Sequence, residues 1–505
     1  MKKILVNKNP WETRVAIIRD GKLENIFFGQ STDKVIEKAF FKGNVSKVLP
    51  GIQTAFVDIG QERAGFLHVS EIDRDLAVNR IMGADQVELD DEVKPQVSPE
   101  KIDISKILSE GEDMLVQVSK EPVDEKGAKL TTCFTFPGRF VVLTPNIPRI
   151  GVSKKIEDRQ ERVRLKEIVS KHLPTGMGVV IRTSAEGKSE GEIYKDLSLL
   201  ISDWNGILAR YSKGLTKSKI HEDMDVALQV LRDHLDDDVE TIVTDNQESH
   251  NLLYQYINKV APEHKFKVKM YRGKTELFER YHIDQQISAA LEKKVMLKSG
   301  GSIVIDTAEA LTVIDVNTGK FTGKRNLEET ILKTNLEAAQ EVVLQLKLRN
   351  IGGLIVIDFI DMSNFKNRQK LVAFFEKNLK EFDRFQSVVL QVSEFGIVQM
   401  TRKRSGKTLM RQLMDTCHCC QGLGQLTSVR AASYEVLRKI KQSLKQYHSA
   451  GKVELIVGEE LFDFIASIEF DSVLALEQQF GCQVVLHSDA NMKQHEFKVV
   501  EKSLT

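Results

Sequence analysis

Residues 302–362 read SIVIDTAEALTVIDVNTGKFTGKRNLEETILKTNLEAAQEVVLQLKLRNIGGLIVIDFIDM, and this stretch decides the fold. Two apolar runs, Leu311-Thr312-Val313-Ile314 and Leu354-Ile355-Val356-Ile357, are rich in β-branched residues, and an aspartate follows each. Between them Ile331, Leu332, Leu336, Ala339, Val343 and Leu346 recur at helical spacing. Asn326 with Glu329 offers a capping box at the start, and Gly352-Gly353 a stop at the end. Strand, crossover helix, strand predicts a parallel βαβ unit. If its strands are neighbours, Asp315 and Asp358 emerge side by side at their carboxyl ends, where open α/β sheets place their sites.

Asn317 lies two residues beyond Asp315 and so shares its strand face. Two carboxylates and an amide suit one hard cation such as magnesium, which takes one or two carboxylates and keeps several waters. Such an ion turns water into a nucleophile and neutralises charge on a phosphodiester. The competing reading is that strand-terminal aspartates cap turns. The repeated aspartate-terminated run and the intervening basic residues Lys320, Lys324 and Arg325 bring the two readings into balance.

The segments VIDVNTGKFTGKRNLEETI and LRNIGGLIVIDFIDM closely resemble the catalytic domain of the ribonuclease E/G family. That resemblance implies a DNase-I-like α/β domain over residues 291–413. In it Asp315 and Asp358 would hold one catalytic Mg2+ per chain, and Asn317 would support Asp315. It extends in order over nearly the whole chain, through LVNKNPWETRVA and VLPGIQTAFVDIG, and fits the shorter branch of the family without a C-terminal scaffold region.

A chain of 505 residues calls for several domains, since single cores stop growing at roughly 250–300 residues. Lys+Arg and Asp+Glu balance at 72 each, so a polyanionic partner has to be met by local basic patches. No apolar run approaches the ~18 residues a membrane helix needs, and the hydrophobic core of MKKILVNKNP is too short for a signal peptide. Five cysteines, three of them within residues 417–420, do not form a secreted disulfide framework. A reduced, cytoplasmic protein without a membrane anchor is expected.

Residues 1–38 alternate apolar and polar, with Asp20-Gly21 as a hairpin turn. Residues 39–130 carry short glycine-punctuated strands that predict a small barrel, with an acidic, proline-bearing insertion at 82–104 read as solvated. GFLHVSEI resembles an OB-fold RNA-binding domain. Phe56 and Phe66 either fill the barrel core or present rings on which unpaired bases stack; the resemblance implies stacking on single-stranded RNA. Lys120 and Lys126 are candidate phosphate contacts or ordinary surface lysines.

Residues 131–225 form a further module. Gly187-Lys188-Ser189 imitates the end of a P-loop, but the required earlier glycine is Arg182. Arg182-Thr183, after the Val179-Val180-Ile181 run, suit a terminal phosphate better, a fork and a hydroxyl; the alternative is a surface ion pair. The resemblance implies a 5′-monophosphate pocket made by Arg182 and Thr183 with backbone near Gly138 and Val142. Residues 226–290 read helix, strand, helix, and the resemblance implies that they rejoin residues 1–38 as a ribonuclease-H-like subdomain lacking catalytic carboxylates, so Asp245 is expected to be structural. Arg402, Lys403 and Arg404 in TRKRSGKTLMRQ are candidates for the RNA backbone or a solvated face.

Within residues 414–424, Cys417 and Cys420 make one Cys-x-x-Cys pair, half of a tetrahedral zinc set. The second pair is best supplied by another copy of the chain, giving a zinc-linked homodimer, with a homotetramer left open. A redox dithiol is the rival, and no thioredoxin-like βαβ pattern is legible after the pair. The family shares such a zinc through Cys-Pro-x-Cys. Here His418 stands in place of the proline and Cys419 adds a thiol, which leaves open whether either replaces a ligand. Residues 425–505 read as a small α/β domain.

The fold expected is therefore α/β and α+β multidomain. The function expected is a magnesium-dependent endoribonuclease cutting single-stranded RNA to leave 5′-phosphate ends, with a preference for 5′-monophosphorylated substrates, in ribosomal RNA processing and mRNA decay. No histidine motif offers the acid/base pair a metal-free route through the 2′-hydroxyl would use. The rivals are a non-catalytic RNA-binding scaffold and a metal-dependent DNA nuclease.

Overall fold

The computed structural model describes residues 1–30, 36–73, 103–122, 127–319, 327–393, 396–404, 406–447, 452–490, 492 and 497–502. They fall into two compact units, Met1–Gly406 and Lys407–Thr505.

In the first unit the stretch around Asp315 and Asp358 forms the centre of a sheet. Its order is Lys294–Met296, Ser302–Thr307, Leu311–Asn317, Gly353–Asp358, Ile397–Arg402, Ser387–Val389. The two central strands run parallel, and the flanking pairs are antiparallel. A parallel neighbour requires a crossover, and the helix Leu327–Leu348 provides it. Ala338, Ala339, Val342, Val343 and Leu346 of that helix bury against Ile314, Ile355 and Ile357, with Ile331, Leu332 and Leu336 packed at the margin. Helix Phe365–Phe382 adds Leu371, Phe375 and Leu379 to the same core. Because side chains alternate along a strand, the opposite face, with Val313, Asp315, Asn317, Leu354 and Asp358, lies open to solvent.

The crossover helix ends differently from the expected glycine stop. Asn350 takes the left-handed conformation at φ 51°; Ile351 N–H donates to Leu346 O (3.0 Å) and Asn350 N–H to Lys347 O (3.3 Å). This is a Schellman cap with asparagine in the glycine role. Gly353 instead opens the next strand, where any Cβ would sit 2.6 Å from the Arg404 guanidinium. Asn326, Lys320, Lys324 and Arg325 lie outside the described residues.

The N-terminal strands join a sheet ordered Val268–Met270, Val239–Thr244, Lys2–Lys8, Glu12–Arg19, Lys22–Gln30. Lys2–Lys8 pairs parallel with Val239–Thr244, so the segment after 226 does return to the N-terminus. Asp20 and Gly21 both have positive φ, 51° and 81°, which suits the right-handed twist of the hairpin they close. Strands Phe40–Leu49, Thr54–Asp58, Gly65–His68, Lys129–Thr131 and Asp113–Lys120 close into a small barrel, because the first also pairs with the last. Ser218–His221 adds to its Phe40–Leu49 strand from beyond the segment read as barrel. Lys126 and residues 82–102 of the acidic insertion lie outside the described residues.

A third sheet, Ile150–Val152, Gly178–Ile181, Val141–Thr144, Phe136–Pro137, shares its core with helices Arg159–His172 and Glu190–Lys213. Ser189 caps the second helix in a capping box with Glu192, so the P-loop imitation is a helix start.

The second unit corrects one reading. After the cysteines a parallel unit is present: Lys452–Val457 pairs parallel with Gln483–Ser488 across helices Glu459–Ser467 and Phe470–Phe480, and Phe497–Lys502 completes the sheet antiparallel. Two helices, not one, make the crossover, so the single-helix βαβ pattern is not legible in the sequence. The cysteine pair nevertheless stands before this unit, with the helix Val429–Tyr447 between, and not at its strand–helix junction. Among the described residues no helix is long and apolar enough to cross a membrane.

Candidate active site and RNA-contacting surfaces

The parallel register places Asp315 directly opposite Asp358, at the carboxyl ends of adjacent strands. Both carboxylates are exposed on the open face. Asn317 Nδ2 donates to Asp315 Oδ2 at 2.7 Å, which fixes one carboxylate oxygen and leaves the other free. Among the described residues no group of three or more His, Cys, Asp or Glu gathers that could cage a metal. The donor set is two carboxylates and a supporting amide, which fits a cation that retains most of its water, as Mg2+ does, better than one needing a protein cage.

On the barrel, Phe56 and Phe66 face one another across paired strands. Neither belongs to the core, which is built from Phe41, Val45, Ala55, Val57, Leu67, Val116 and Leu130. Both rings are half-buried on the outer surface. Lys47 lies opposite Phe56, and Lys129 opposite Phe66 and Lys120. Lys120 is exposed, whereas Lys129 is engaged by Glu71. Lys47 and Lys129 escape a reading of single strands because only cross-strand pairing brings them beside the rings.

Arg182 follows the strand Gly178–Ile181. Its Nη1 contacts the Gly138 carbonyl (2.5 Å) and Asp233 Oδ1 (2.7 Å), so it does stand in an ion pair. Burial pushes the Asp233 carboxyl up, but Arg232 and Arg182 overcome it and hold it down at about 2. Thr183 is exposed at the wall of an open cleft of about 960 Å³ that also carries Lys154, Lys155, Arg384 and Lys403. Val142 lies in the ladder opposite both Val180 and Pro137. The chain from 138 to 141 is shaped by Asp196, a buried carboxylate accepting from the N–H groups of Arg139 (3.1 Å), Phe140 (2.8 Å) and Val141 (3.1 Å). A Cβ on Gly138 would lie 2.6 Å from Asp196 Oδ2, so only glycine fits. Asp196 has no local signal in the sequence, and Asp233 has only the nearby Asp236, Asp237 and Asp238.

One further expectation changes, at Arg402, and Asp245 is structural as expected. Arg402 does not reach outward: it is buried and paired with Asp383, which leaves Lys403 and Arg404 as the exposed members of that basic segment. Asp245 accepts from Asn7 Nδ2 (2.6 Å) and the Lys8 N–H (3.2 Å), a structural tie between adjacent strands.

In the second unit Cys417 and Cys419 are exposed and Cys420 is half-buried. Gln421 N–H donates to Cys417 O (2.8 Å) and Gln421 is left-handed at φ 48°, so the pair lies in a tight turn. The N–H groups of Cys420 and Cys419 point at the Cys417 sulfur and lower its pKa, favouring the thiolate a metal requires. One Cys-x-x-Cys turn is half of a zinc set.

Residues 135–405 match the family model described as Ribonuclease E/G family, and residues 416–503 that described as RNase E/G, Thioredoxin-like domain. Ribonuclease G of Escherichia coli (strain K12) is 36% identical over 498 residues, 99% of each chain. Ribonuclease G of Haemophilus influenzae is 36% identical over 501 residues, again 99% of each. Ribonuclease E of Haemophilus influenzae is 34% identical over 510 residues, 99% of this chain and 52% of that one. The chain belongs to the ribonuclease E/G family.

Proposed function

We propose that this protein is a magnesium-dependent endoribonuclease that cuts single-stranded RNA to 3′-hydroxyl and 5′-phosphate ends. The observation that carries the reading is the opposed pair Asp315 and Asp358, with Asn317 on Asp315, at the open ends of parallel strands in a chain of this family. Asp315 and Asp358 would hold the ion, and Asn317 would orient Asp315. Bound there, magnesium supplies charge neutralisation at phosphorus and activation of water. Water adds to phosphorus, the bond to the 3′-oxygen breaks, and that oxygen takes a proton. Phe56 and Phe66 would stack bases, with Lys120 and Lys126 on the phosphates.

Arg182 and Thr183, with the backbone at Gly138 and Val142, would receive a 5′-monophosphate; a 5′-hydroxyl lacks the charge that Arg182 pairs with. Cys417 and Cys420 of two copies would share one structural Zn2+ and make a homodimer, which could pair further into a tetramer. Ribosomal RNA processing and mRNA decay in the cytoplasm are the pathways proposed.

The test incubates one unstructured RNA and the matched DNA with the protein, with Mg2+ or with EDTA, and identifies product ends. Cleavage of RNA alone, dependent on Mg2+ and leaving 5′-phosphates, is expected. Cutting of the DNA would move the reading to a DNA nuclease, and binding without cutting to a scaffold.

A further inference from the structure

We infer that Asp233 is the positioning residue of the 5′-phosphate pocket: it clamps one edge of Arg182 so that the other edge is presented to the terminal phosphate. This rests on the 5′-monophosphate reading above and adds the device that aims the recognising group.

Three observations carry it. First, both protein contacts of the Arg182 side chain fall on one nitrogen. Nη1 meets Asp233 Oδ1 at 2.7 Å and Gly138 O at 2.5 Å, whereas among the described residues Nη2 and Nε have no hydrogen-bond partner. A guanidinium held at one corner keeps free the donors that match a phosphate in a forked geometry.

Second, the clamp itself is rigid. Arg232, whose side chain is buried, donates to both Asp233 oxygens, Nη2 at 3.1 Å and Nε at 3.4 Å. The carboxyl end of helix Val226–His234, which carries Asp233, is tied down further: Arg139 Nη2 donates to Leu235 O at 2.6 Å, and Asp236 pairs with Lys2 at 3.0 Å and with Arg384 at 2.8 Å. Asp233 is thus an anchor fixed from behind, not a mobile surface carboxylate.

Third, the Gly138 carbonyl that shares Nη1 is itself fixed, because Asp196 holds the next three N–H groups and glycine is required at 138. The long side chain of Arg182 loses rotamer freedom before any RNA arrives, which is the main cost of recruiting arginine to a ligand. The carboxylate also partly neutralises Arg182, so a singly charged internal phosphodiester gains less there than a doubly charged terminal phosphate.

The experiment measures cleavage of one short RNA bearing a 5′-monophosphate or a 5′-hydroxyl by wild type, Arg182→Gln, Asp233→Asn and the double variant. Asp233→Asn is expected to shrink the ratio of kcat/KM between the two RNAs about tenfold, the size of a charge-assisted hydrogen bond, through KM for the monophosphorylated RNA. The double variant should lose no more than Arg182→Gln alone, since Asp233 acts through Arg182. Asp233→Glu, which keeps the charge, should recover part of the ratio. A ratio kept in Asp233→Asn but lost in Arg182→Gln would overturn the clamp and leave the pocket standing. A parallel fall on both RNAs would make Asp233 merely structural and also overturn it. No end preference in wild type would remove the pocket, and the clamp with it.

Discussion

Arg402 and Asp383 form a forked ion pair, Nε to Oδ2 at 2.6 Å and Nη2 to Oδ1 at 3.0 Å, with side chains only 1% and 2% exposed. It joins the residue after helix Phe365–Phe382 to the strand that pairs with the Asp358 strand. Arg402 Nη1 also donates to Ile351 O at 2.6 Å. Removing one member leaves the other charged and buried, at a cost of about 3–5 kcal/mol. Asp383→Asn and Arg402→Gln should each lower the thermal midpoint by several degrees. An unchanged midpoint together with weakened RNA binding would return Arg402 to the RNA surface.

Phe56 and Phe66 make a prediction of the opposite kind. Lying outside the barrel core, each can be truncated to alanine with little effect on stability. Each should lose ~1–3 kcal/mol of affinity for an unstructured RNA, the stacking contribution of one base. Titration by fluorescence anisotropy beside a thermal melt separates the two effects. A collapse in stability would place the rings in the core after all.

For the cysteine turn, Cys417→Ser and Cys420→Ser should abolish bound zinc, and with it the dimer seen by light scattering. Wild type should hold about one zinc per two chains, four thiolates completing the tetrahedral set. His418→Pro and Cys419→Ala should keep both metal and dimer; loss of zinc from either would make that residue a ligand.

Acid should expose the Asp233 clamp. Its folded-state pKa is about 2, below the ordinary 3.8, the cations Arg232 and Arg182 outweighing burial. A carboxylate lowered in this way stabilises the fold fully above its unfolded pKa, and the contribution is lost as pH falls from about 4 to 2. That contribution is about 2 kcal/mol. Denaturant unfolding followed between pH 6 and 2 should therefore fall less steeply for Asp233→Asn than for wild type, and equal slopes would contradict the clamp's charge.

The Asp315 and Asp358 strands were legible because β-branched runs and helical periodicity are local, and the crossover helix forces the parallel neighbour. The hairpin at Asp20-Gly21 was legible for the same reason. What stayed hidden depends on contacts distant in sequence. Arg402 sits in a run of basic residues and reads as solvated, yet alternation along its strand turns it inward onto Asp383. Asp233 meets Arg182 only once the sheets are assembled. Asn350 replaces the expected glycine stop because asparagine also tolerates the left-handed conformation. The parallel strands of the second unit are not legible because two helices, not one, make their crossover.

In the proposed function Asp315 and Asp358 together make the cleavage site. The most direct measurement is cleavage of a short unstructured RNA in Mg2+ by wild type, Asp315→Asn and Asp358→Asn, beside the affinity of each for the same RNA in EDTA. Each variant should cut roughly 10²–10³-fold more slowly, the several kcal/mol a bound metal contributes at phosphorus, with RNA affinity kept. Wild-type cleavage rates in either variant would contradict the account and put the chemistry elsewhere in the chain.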